Sequence, residues 1–340
     1  MVAFRYHPTT LKHANGVVLD KPGKPSYDTP ASFPIIVLLN TISKILERIL
    51  TVRLTSLARQ VGLLHPNQYG SLPGLSTSDA VATLTHEVRT LQRPLLKVST
   101  LFLDIKAGFD NVNAVKLRAL LRSKNIPSYM AHWVSSFLTG RRCTLLFQGA
   151  PGISAPVSVG TPQGSPLSPL LLLVYVAPLH FRIPTGIMVS YVDDFSLTVG
   201  LPSHSSNIRR QPGLFLNISR KASALNLSFS LPKPELIHWR THSERSLPAL
   251  SPITLDGQVF HPSGMVRWLG YWLSPALNIS HHFNHRLALA NASFSFVKRL
   301  SSPGGGTRPF LAHRVAMGLF LPILTHGADL LVQTTAPPCQ

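Results

Sequence analysis

Apolar residues recur at three- and four-residue spacings along several stretches of the chain, the spacing of one face of an α-helix. The clearest run covers residues 40–59, with Asn40 or Thr41 as a cap at its start and Gly62 at its end. Its apolar positions, which predict the inward face, are Ile42, Ile45, Leu46, Ile49, Leu50, Leu54 and Leu57. We expect the opposite, solvated face to carry its charged residues, Lys44, Glu47, Arg48 and Arg53.

The remaining pattern alternates between short helices and short strands. Further helices are predicted over 78–92, 114–123, 128–138, 207–225, 281–300 and 309–321, and the apolar segment 166–178 predicts a buried helix with Pro166 in its first turn. Strands or hairpins are predicted over 98–105, 141–159, 186–199, 227–240 and 266–273, whereas residues 1–34 read as irregular. Hairpins mixed with helices predict an α+β fold in which helices cover a sheet.

The charge balance points to a polyanionic partner. Lys and Arg number 32 against 13 Asp and Glu, which gives a formal net charge of +19. Charged residues make up only 13% of the chain, below the usual level of about 25%, so the imbalance comes mainly from a shortage of acid. A hydrophobic content of 44% argues against disorder. Nucleic acid is the first candidate partner and an acidic membrane surface the second.

Several classes of protein are disfavoured by what the chain lacks. Two cysteines exclude a disulfide framework and a four-cysteine zinc module. The first ten residues contain Arg5, His7 and Pro8 instead of an apolar run, so no secretion signal is expected, and we expect an intracellular protein. The longest apolar run, 170–179, is too short to span a bilayer.

Because acid is scarce, the positions of the aspartates are informative. Asp193 and Asp194 are adjacent and interrupt an apolar stretch that reads as two strands meeting at a tight turn. Carboxylates about 4 Å apart repel by roughly 4 kcal/mol at an effective dielectric near 20, which a bound cation would relieve. Oxygen ligands suit Mg²⁺ or Mn²⁺. A hairpin tip with solvated aspartates is the alternative.

A third aspartate strengthens the metal interpretation. Asp104 ends another apolar strand, so two strands delivering carboxylates at their ends could build a two-metal site for phosphoryl transfer. Between them, Gln163 lies in a loop rich in glycine and proline at the mouth of the predicted buried helix, a position suited to phosphate or sugar contact.

The order of motifs resembles one family. LFLDIKAGFDNV, GTPQGSPLSP, SYVDDFSL, LPKPELIHW and RWLGYWL follow one another as in the reverse transcriptases of non-LTR (LINE-like) retrotransposons, particularly those of fungi. The upstream segments KPGKPSY, IVLLNTISKILERI and HPNQYGSLPGLSTSDA fit the same family. The resemblance covers about residues 15 to 330.

This resemblance implies a right-hand polymerase fold with an antiparallel-sheet palm, helical fingers and a partial helical thumb. It implies fingers over residues 1–97, palm over 98–115 and a fingers–palm connection over 116–157. The palm would continue over 158–275 and include a primer-gripping hairpin, and 276–340 would form part of a thumb.

The resemblance also implies the site residues. Asp104, Asp193 and Asp194 would be catalytic and hold the metal together with the backbone carbonyl of Ile105, and Lys233 could protonate pyrophosphate. Three further residues would face the nucleotide: Phe109, which would exclude a ribose 2′-OH, Gln163 and Gly164. Trp268 and Gly270 belong to the primer-gripping hairpin. The basic residues offered as nucleic-acid contacts are Lys21, Lys24, Lys44, Arg48, Arg141 and Arg142.

The expected activity is RNA-directed DNA polymerisation with Mg²⁺ or Mn²⁺. The expected partners are an RNA template, a DNA primer and deoxynucleoside triphosphates, without a membrane, and the expected location is the nucleus. The alternative is a degenerate remnant that binds nucleic acid without efficient catalysis, which is favoured by a short thumb and by Pro34 at a position where the family usually has arginine. An RNA-templated RNA polymerase is disfavoured by Phe109.

One competing metal motif lies near the end of the chain. His281, His282 and His285 have helical spacing, but no acidic residue is near them in the sequence. We therefore expect no metal there.

Overall fold

The structure is a computed structural model that describes residues 5–19, 28, 33, 35–93, 96–147, 149–231, 233–241, 244, 251–300 and 306–328. Lys21, Lys24 and Pro34 lie outside the described residues. The helices are α1 (Thr41–Gln60), α2 (Thr77–Gln92), α3 (Ala114–Ser123), α4 (Ser128–Leu138), α5 (Ser168–Val176), α6 (His204–Ala224), α7 (Ser280–Leu300) and α8 (Pro309–Thr325). Short 3-10 helices cover Thr9–Leu11, Phe109–Asn111 and Ala177–Leu179.

The strands form two larger sheets and two small hairpins. They are β1 (His13–Val18), β2 (Ile35–Leu38), β3 (Gln68–Tyr69), β4 (Lys97–Asp104), β5 (Arg141–Phe147), β6 (Ala150–Val157), β7 (Gly186–Tyr191), β8 (Asp194–Leu201), β9 (Glu235–Trp239), β10 (Ile253–Leu255), β11 (Gln258–Phe260), β12 (Val266–Trp268) and β13 (Tyr271–Leu273). We call the five-stranded sheet β3-β7-β8-β4-β9 the central sheet and the four-stranded sheet β2-β1-β5-β6 the outer sheet.

The central sheet is antiparallel except at its β3 edge, where β3 runs parallel to β7. Its middle strands β4 and β8 are buried at all but their end residues. Apolar residues predominate in both strands because helices cover the sheet; α2 and α6 lie against β4 and β8. These strands and the β7–β8 turn confirm the α+β prediction.

Helix α5 lies in the core, where every residue from Leu170 to Val176 is fully buried. It begins at Ser168, so Pro169, and not Pro166 as predicted, occupies its first turn. A proline there costs no hydrogen bond, since the first amides of a helix have no intrahelical partner.

The predicted inward face of α1 was confirmed for Leu46, Leu50, Leu54 and Leu57, which are buried or pack against the core, and was wrong for the rest of the face. Ile42, Ile45 and Ile49 are exposed, whereas Glu47 is fully buried. The helix has apolar residues on more than one side, and its packing selects the side with Leu50, Leu54 and Ala58, which are buried. Periodicity alone could not choose between those sides.

The outer sheet was only partly predicted. The hairpin β5–β6 matches the expectation for 141–159, but β1 lies within the segment predicted to be irregular. Strand β1 pairs antiparallel with β2 and parallel with β5, so the expected helical fingers also contain a sheet. Near the end of the described chain, α7 packs against α8. None of the helices within the described ranges has the length and apolar character needed to cross a membrane.

Candidate active site

Two of the predicted carboxylates come together through strand register. The antiparallel pairing of β4 with β8 places Asp104 directly opposite Asp194. Both line an open cleft whose other wall includes Lys233 and strand β12. Asp193 precedes β8 in the turn, and its backbone carbonyl accepts a hydrogen bond from the Ile105 amide at 3.1 Å. The site is therefore built where the apolar strands end.

The turn that carries Asp193 is strained. Val192 has a φ of 56°, which is a rare conformation for a β-branched residue. The Val192 amide is held by the Tyr69 carbonyl at 3.1 Å, and Gly70 leaves room beside it. A Cβ at Gly70 would lie 2.6 Å from Val192 Cγ2, and Gly70 itself has a φ of +87°. Strand β3 thus fixes the turn, and sequence reasoning did not find this role of Gly70.

Lys233 provides the positive charge of the site. Its Nζ donates to Asp104 Oδ2 at 2.7 Å, and this bond is the largest cause of a raised Lys233 pKa. The segment after α6 brings it there, because the Ser230 amide bonds to the Asp104 carbonyl at 2.8 Å and the Lys233 amide to the Ser230 carbonyl at 3.2 Å. The Lys233 side chain is 65% exposed, so the ion pair can exchange with solvent.

The aspartates are electrostatically crowded. Burial, followed by the charges of Asp193 and Asp104, raises the pKa of Asp194 to about 6. Burial is also the main cause of the raised pKa of Asp193, and Lys233 opposes both shifts. Three carboxylates thus share one ammonium group, an arrangement whose oxygen donors fit a hard divalent cation. No ready-made cluster of three or more His, Cys, Asp or Glu metal ligands is present within the described ranges.

A second group of predicted residues joins the two sheets. Phe109 is half-buried at the start of the 3-10 helix after β4, and its carbonyl accepts from the Thr161 amide at 2.8 Å. Gln163 Nε2 donates to Asp110 Oδ1 at 3.3 Å. A Cβ at Gly164, whose φ is +93°, would lie 2.9 Å from the Val37 carbonyl of β2. The loop 160–164 therefore connects the residues after β4 to the outer sheet.

The hairpin β12–β13 does not expose all of its predicted contacts. Trp268 is 4% exposed and packs against Phe102 at 5.4 Å between ring centroids, and Gly270 takes the turn with a φ of +85°. Side chains alternate across a strand, so the exposed neighbours are Arg267 and the half-exposed Trp272, whose ring lies 5.8 Å from the Arg267 guanidinium. Sequence reasoning did not single out either residue.

The basic candidates lie in different environments. Arg48 and Arg142 are exposed, as nucleic-acid contacts require, whereas Lys44 is half-buried. Arg142 is held by Ser154 Oγ and the Ser154 carbonyl. Arg141, in contrast, is 8% exposed and donates from Nη2 to the Gly160 carbonyl at 3.1 Å. Arg141 supports the loop 160–164 from within the protein.

The side chains of the histidine motif, His281, His282 and His285, contact neighbouring residues of the protein. The Trp272 amide donates to His282 Nδ1 at 3.4 Å, and His282 Nε2 lies 2.9 Å from the His326 carbonyl. His281 and His285 lie edge-on to Trp272. The described contacts of the motif are thus with Trp272 and His326, and the expectation that it binds no metal stays a prediction.

A family model described as reverse transcriptase (RNA-dependent DNA polymerase) matches residues 20–273. Two relatives come from Drosophila melanogaster. The probable RNA-directed DNA polymerase from transposon X-element is 33% identical, over 52% of this chain and 19% of the relative. The probable RNA-directed DNA polymerase from transposon BS is 27% identical, over 82% of this chain and 31% of the relative. A Pol polyprotein from the type-1 retrotransposable element R1 of Bradysia coprophila is 25% identical over 97% of this chain and 32% of its own length. The chain thus spans about a fifth to a third of these relatives.

The fold of this chain resembles that of solved telomerase structures. Apo telomerase from Candida tropicalis has a TM-score of 0.55 at 12% identity, covering 94% of this chain and 58% of that one. A form truncated from its C-terminal domain has a TM-score of 0.53 at 11% identity, covering 80% and 55%. This level of likeness supports a right-hand polymerase fold.

Proposed function

Because the chain belongs to the reverse transcriptase (RNA-dependent DNA polymerase) family, we propose that it copies an RNA template by adding deoxynucleotides to a DNA primer 3′-hydroxyl. The observation that carries this proposal is the pairing of Asp104 opposite Asp194, with Asp193 in the adjoining strained turn. Strand register fixes these carboxylates before any substrate binds, and preorganised charge is what phosphoryl transfer requires.

The aspartates are proposed to hold divalent cations, Mg²⁺ or Mn²⁺. Asp104, Asp193, Asp194 and the carbonyl of Ile105 would supply the oxygen ligands. Bound cations would activate the primer hydroxyl and stabilise the departing pyrophosphate. The raised pKa of Asp194 means that its carboxylate is fully charged only well above pH 6, so cation binding should strengthen as the pH rises through this value.

Lys233 is proposed to exchange its partner during the reaction. In the free protein its ammonium group neutralises Asp104. With a cation bound at the aspartates, the exposed Lys233 side chain would be free to donate a proton to the leaving pyrophosphate. A raised pKa keeps Lys233 protonated until that point.

The residues after β4 are proposed to select the nucleotide. The aromatic ring of Phe109 would exclude a ribose 2′-hydroxyl, and Gln163 and Gly164 would contact the nucleotide from the loop 160–164. Trp268 and Gly270 would shape the primer-gripping hairpin, with Arg267 and Trp272 as its exposed surface. Lys44, Arg48 and Arg142 would contact nucleic-acid phosphates, as would Lys21 and Lys24, which lie outside the described residues.

The domain boundaries and the cellular location are also proposals. We propose fingers over 1–97, palm over 98–115 and 158–275, a fingers–palm connection over 116–157 and part of a thumb over 276–340. A non-LTR retroelement of this kind would act in the nucleus. The fungal subtype stays a prediction, since the relatives named above come from Drosophila melanogaster and Bradysia coprophila.

Primer extension on matched RNA and DNA templates tests the proposal. The purified protein should extend a DNA primer on RNA in the presence of Mg²⁺, and Asp193→Asn should abolish extension while template binding, measured by fluorescence anisotropy, stays within about twofold. Asp256→Asn, at the exposed tip of the β10–β11 hairpin, is the matched control and should keep wild-type activity. Template binding by a wild-type protein that never extends a primer would instead support the degenerate-remnant alternative.

A further inference from the structure

A basic surface on helices α3 and α4 has no role in the function proposed above. Residues 111–192, which include both helices, contain no Asp or Glu. On α3, Leu117 and Leu121 are buried, whereas Arg118 and Arg122 lie one turn apart on the outer side, and Arg122 is exposed. Neither arginine forms an ion pair within the described ranges. The outer side of α3 therefore presents positive charge that no described acidic residue neutralises.

Helix α4 adds an aromatic ring and a titratable group to this surface. Tyr129 and His132 are three residues apart, so they share one side of the helix, and Tyr129 is 40% exposed. The His132 side chain is half-buried. Its pKa is lowered, first by burial and then by the charges of Arg118, Arg5 and Arg122. The three arginines therefore lie close to the His132 ring.

The segment before β1 runs along the same side of α4 and extends the basic surface. The His7 amide donates to Ser136 Oγ at 3.0 Å, and Lys12 Nζ donates to the same oxygen at 3.4 Å. Lys12 Nζ also lies 5.5 Å from the centroid of the exposed Tyr6 ring. We call the set of cationic and aromatic residues around α4 the basic face: Arg5, Lys12, Arg118, Arg122, Tyr129 and His132.

The chemistry of the basic face selects the kind of polyanion. Cations interleaved with exposed aromatic rings fit a single-stranded nucleic acid, whose phosphates pair with Arg and Lys and whose unpaired bases stack on rings such as that of Tyr129. An acidic peptide offers no such bases. An anionic lipid surface favours an exposed apolar helix face, whereas Leu117 and Leu121 of α3 point inward.

The basic face lies outside the cleft of the proposed cation site, but it leads toward the loop of Gln163. None of its six described residues lines that cleft. Lys12, however, lines an open cavity whose walls also include Gln163 and Arg142, two of the residues proposed to contact the nucleotide and nucleic acid. An RNA strand that leaves this loop along the cavity therefore meets Lys12.

We propose that the basic face binds the unpaired part of the RNA template, outside the catalytic cleft. Its cations would contact successive phosphates, and the exposed ring of Tyr129 would stack on a base. The proposal rests on the proposed function in one respect, which is that the long single strand held by the protein is its RNA template. It adds a second contact surface, which would hold the template while the primer is extended.

Metal-free binding assays test this proposal separately from catalysis. Fluorescence anisotropy would compare one RNA–DNA hybrid with and without an unpaired 5′ oligouridine extension of the template of about 15 nucleotides, which is within the usual range of single-strand binding sites. Wild type should bind the extended hybrid about tenfold more tightly, since several phosphate contacts and a stacked base are added. The gain should shrink as the salt concentration rises, because it depends on counterion release.

Two variants remove different parts of the basic face. The double variant Arg118→Gln with Arg122→Gln should reduce the gain to about twofold and lower its salt dependence, while affinity for the hybrid without an extension stays within about twofold of wild type. Tyr129→Ala should reduce the gain but leave its salt dependence unchanged, because stacking releases no counterions. The matched control is Arg209→Gln with Arg210→Gln, which removes the same charge from two exposed residues of α6 and should keep the full gain.

Competition identifies the kind of polyanion. Oligouridine should displace the extended hybrid at least about tenfold better than oligoglutamate of equal length or vesicles that contain phosphatidylserine, because only the RNA offers bases to Tyr129. Equal competition by oligoglutamate would assign the surface to an acidic protein, and equal competition by vesicles would assign it to a membrane. Either result would overturn the proposal.

Thermal unfolding should show that the variants are folded, since Gln and Ala are good helix formers. If the arginine double variant unfolds early, Tyr129→Ala carries the test. A wild type that gains nothing from the extension, or a gain that survives in both variants, would overturn the proposal. Primer extension by a protein without this gain would remove the basic face and leave the polymerase proposal intact, and the gain in a protein that never extends a primer would do the reverse.

Discussion

The central and outer sheets differ in solvent exposure. Strands β4 and β8 of the central sheet are buried except at their ends, and those ends carry Asp104 and Asp194. Strands β2 and β6 of the outer sheet have no buried residue. A sheet covered on both faces fixes carboxylate positions, whereas a sheet open to solvent can present cations to a polymer. Under the proposed function, the central sheet would hold the catalytic carboxylates and the outer sheet would contact the substrate.

The largest expected effect lies in the central sheet. Asp104→Asn removes a charge from the proposed cation site, so single-turnover nucleotide incorporation should fall by about a thousandfold, since metal stabilisation of the transition state is worth several kcal/mol. Template affinity should be unchanged, because Asp104 is not on the binding surface. An incorporation rate within about threefold of wild type would remove Asp104 from the site.

Stability at low pH should depend on His180, a buried histidine that packs against the central sheet. Burial lowers the pKa of His180 to about 3, and its Nε2 lies 3.0 Å from Ser190 Oγ of β7. Because the folded-state pKa is below the ordinary value, the stabilisation is complete above about pH 6.5 and is lost as the pH falls toward 3. Between pH 6.5 and 5 the loss should be about 1–2 kcal/mol.

Denaturant unfolding at both pH values would measure this loss. His180→Gln should weaken the pH dependence, whereas His13→Gln on the outer sheet, where His13 is exposed, should retain it. An equal pH dependence in wild type and His180→Gln would show that another group controls the transition.

Two glycines with similar φ angles, one beside each sheet, allow a second comparison of the two sheets. Gly70 has a φ of +87°, and a Cβ at this position would lie 2.6 Å from Val192 Cγ2. Gly149 has a φ of +82°, and a Cβ there would have no neighbouring atom within 4 Å. Gly70→Ala should cost about 1–3 kcal/mol more in unfolding free energy than Gly149→Ala, because only Gly70→Ala adds a clash to the backbone strain. It should also slow primer extension by displacing the turn at Asp193. Equal stability losses would show that the turn relaxes freely.

The smallest effect is expected for a cation of the outer sheet. Arg142→Ala should weaken template binding a few-fold and lower the slope of log affinity against log salt by about one, because one phosphate contact is lost. Extension at saturating template should be unaffected. Anisotropy titrations at several salt concentrations would measure both quantities, and an unchanged slope would place Arg142 away from the phosphates.

The central sheet was the more predictable of the two. Its apolar runs end in aspartate, so both the strands and the meeting of Asp104 with Asp194 followed from local pattern and order. Strand β1 was missed because its segment HANGVV has little apolar alternation and pairs with β5, more than 120 residues away. Burial of Glu47 was missed because α1 has apolar residues on several sides, and only tertiary packing selects one of them.

The most direct test of the central claim is Mn²⁺ binding by the protein with primer, RNA template and a non-hydrolysable deoxynucleotide, followed by electron paramagnetic resonance. We expect wild type to bind Mn²⁺ saturably and Lys233→Ala to retain the site, with binding reduced at least tenfold in Asp104→Asn and Asp193→Asn. Equal Mn²⁺ binding by wild type and both aspartate variants would contradict the assignment of the strand-end carboxylates as the cation site.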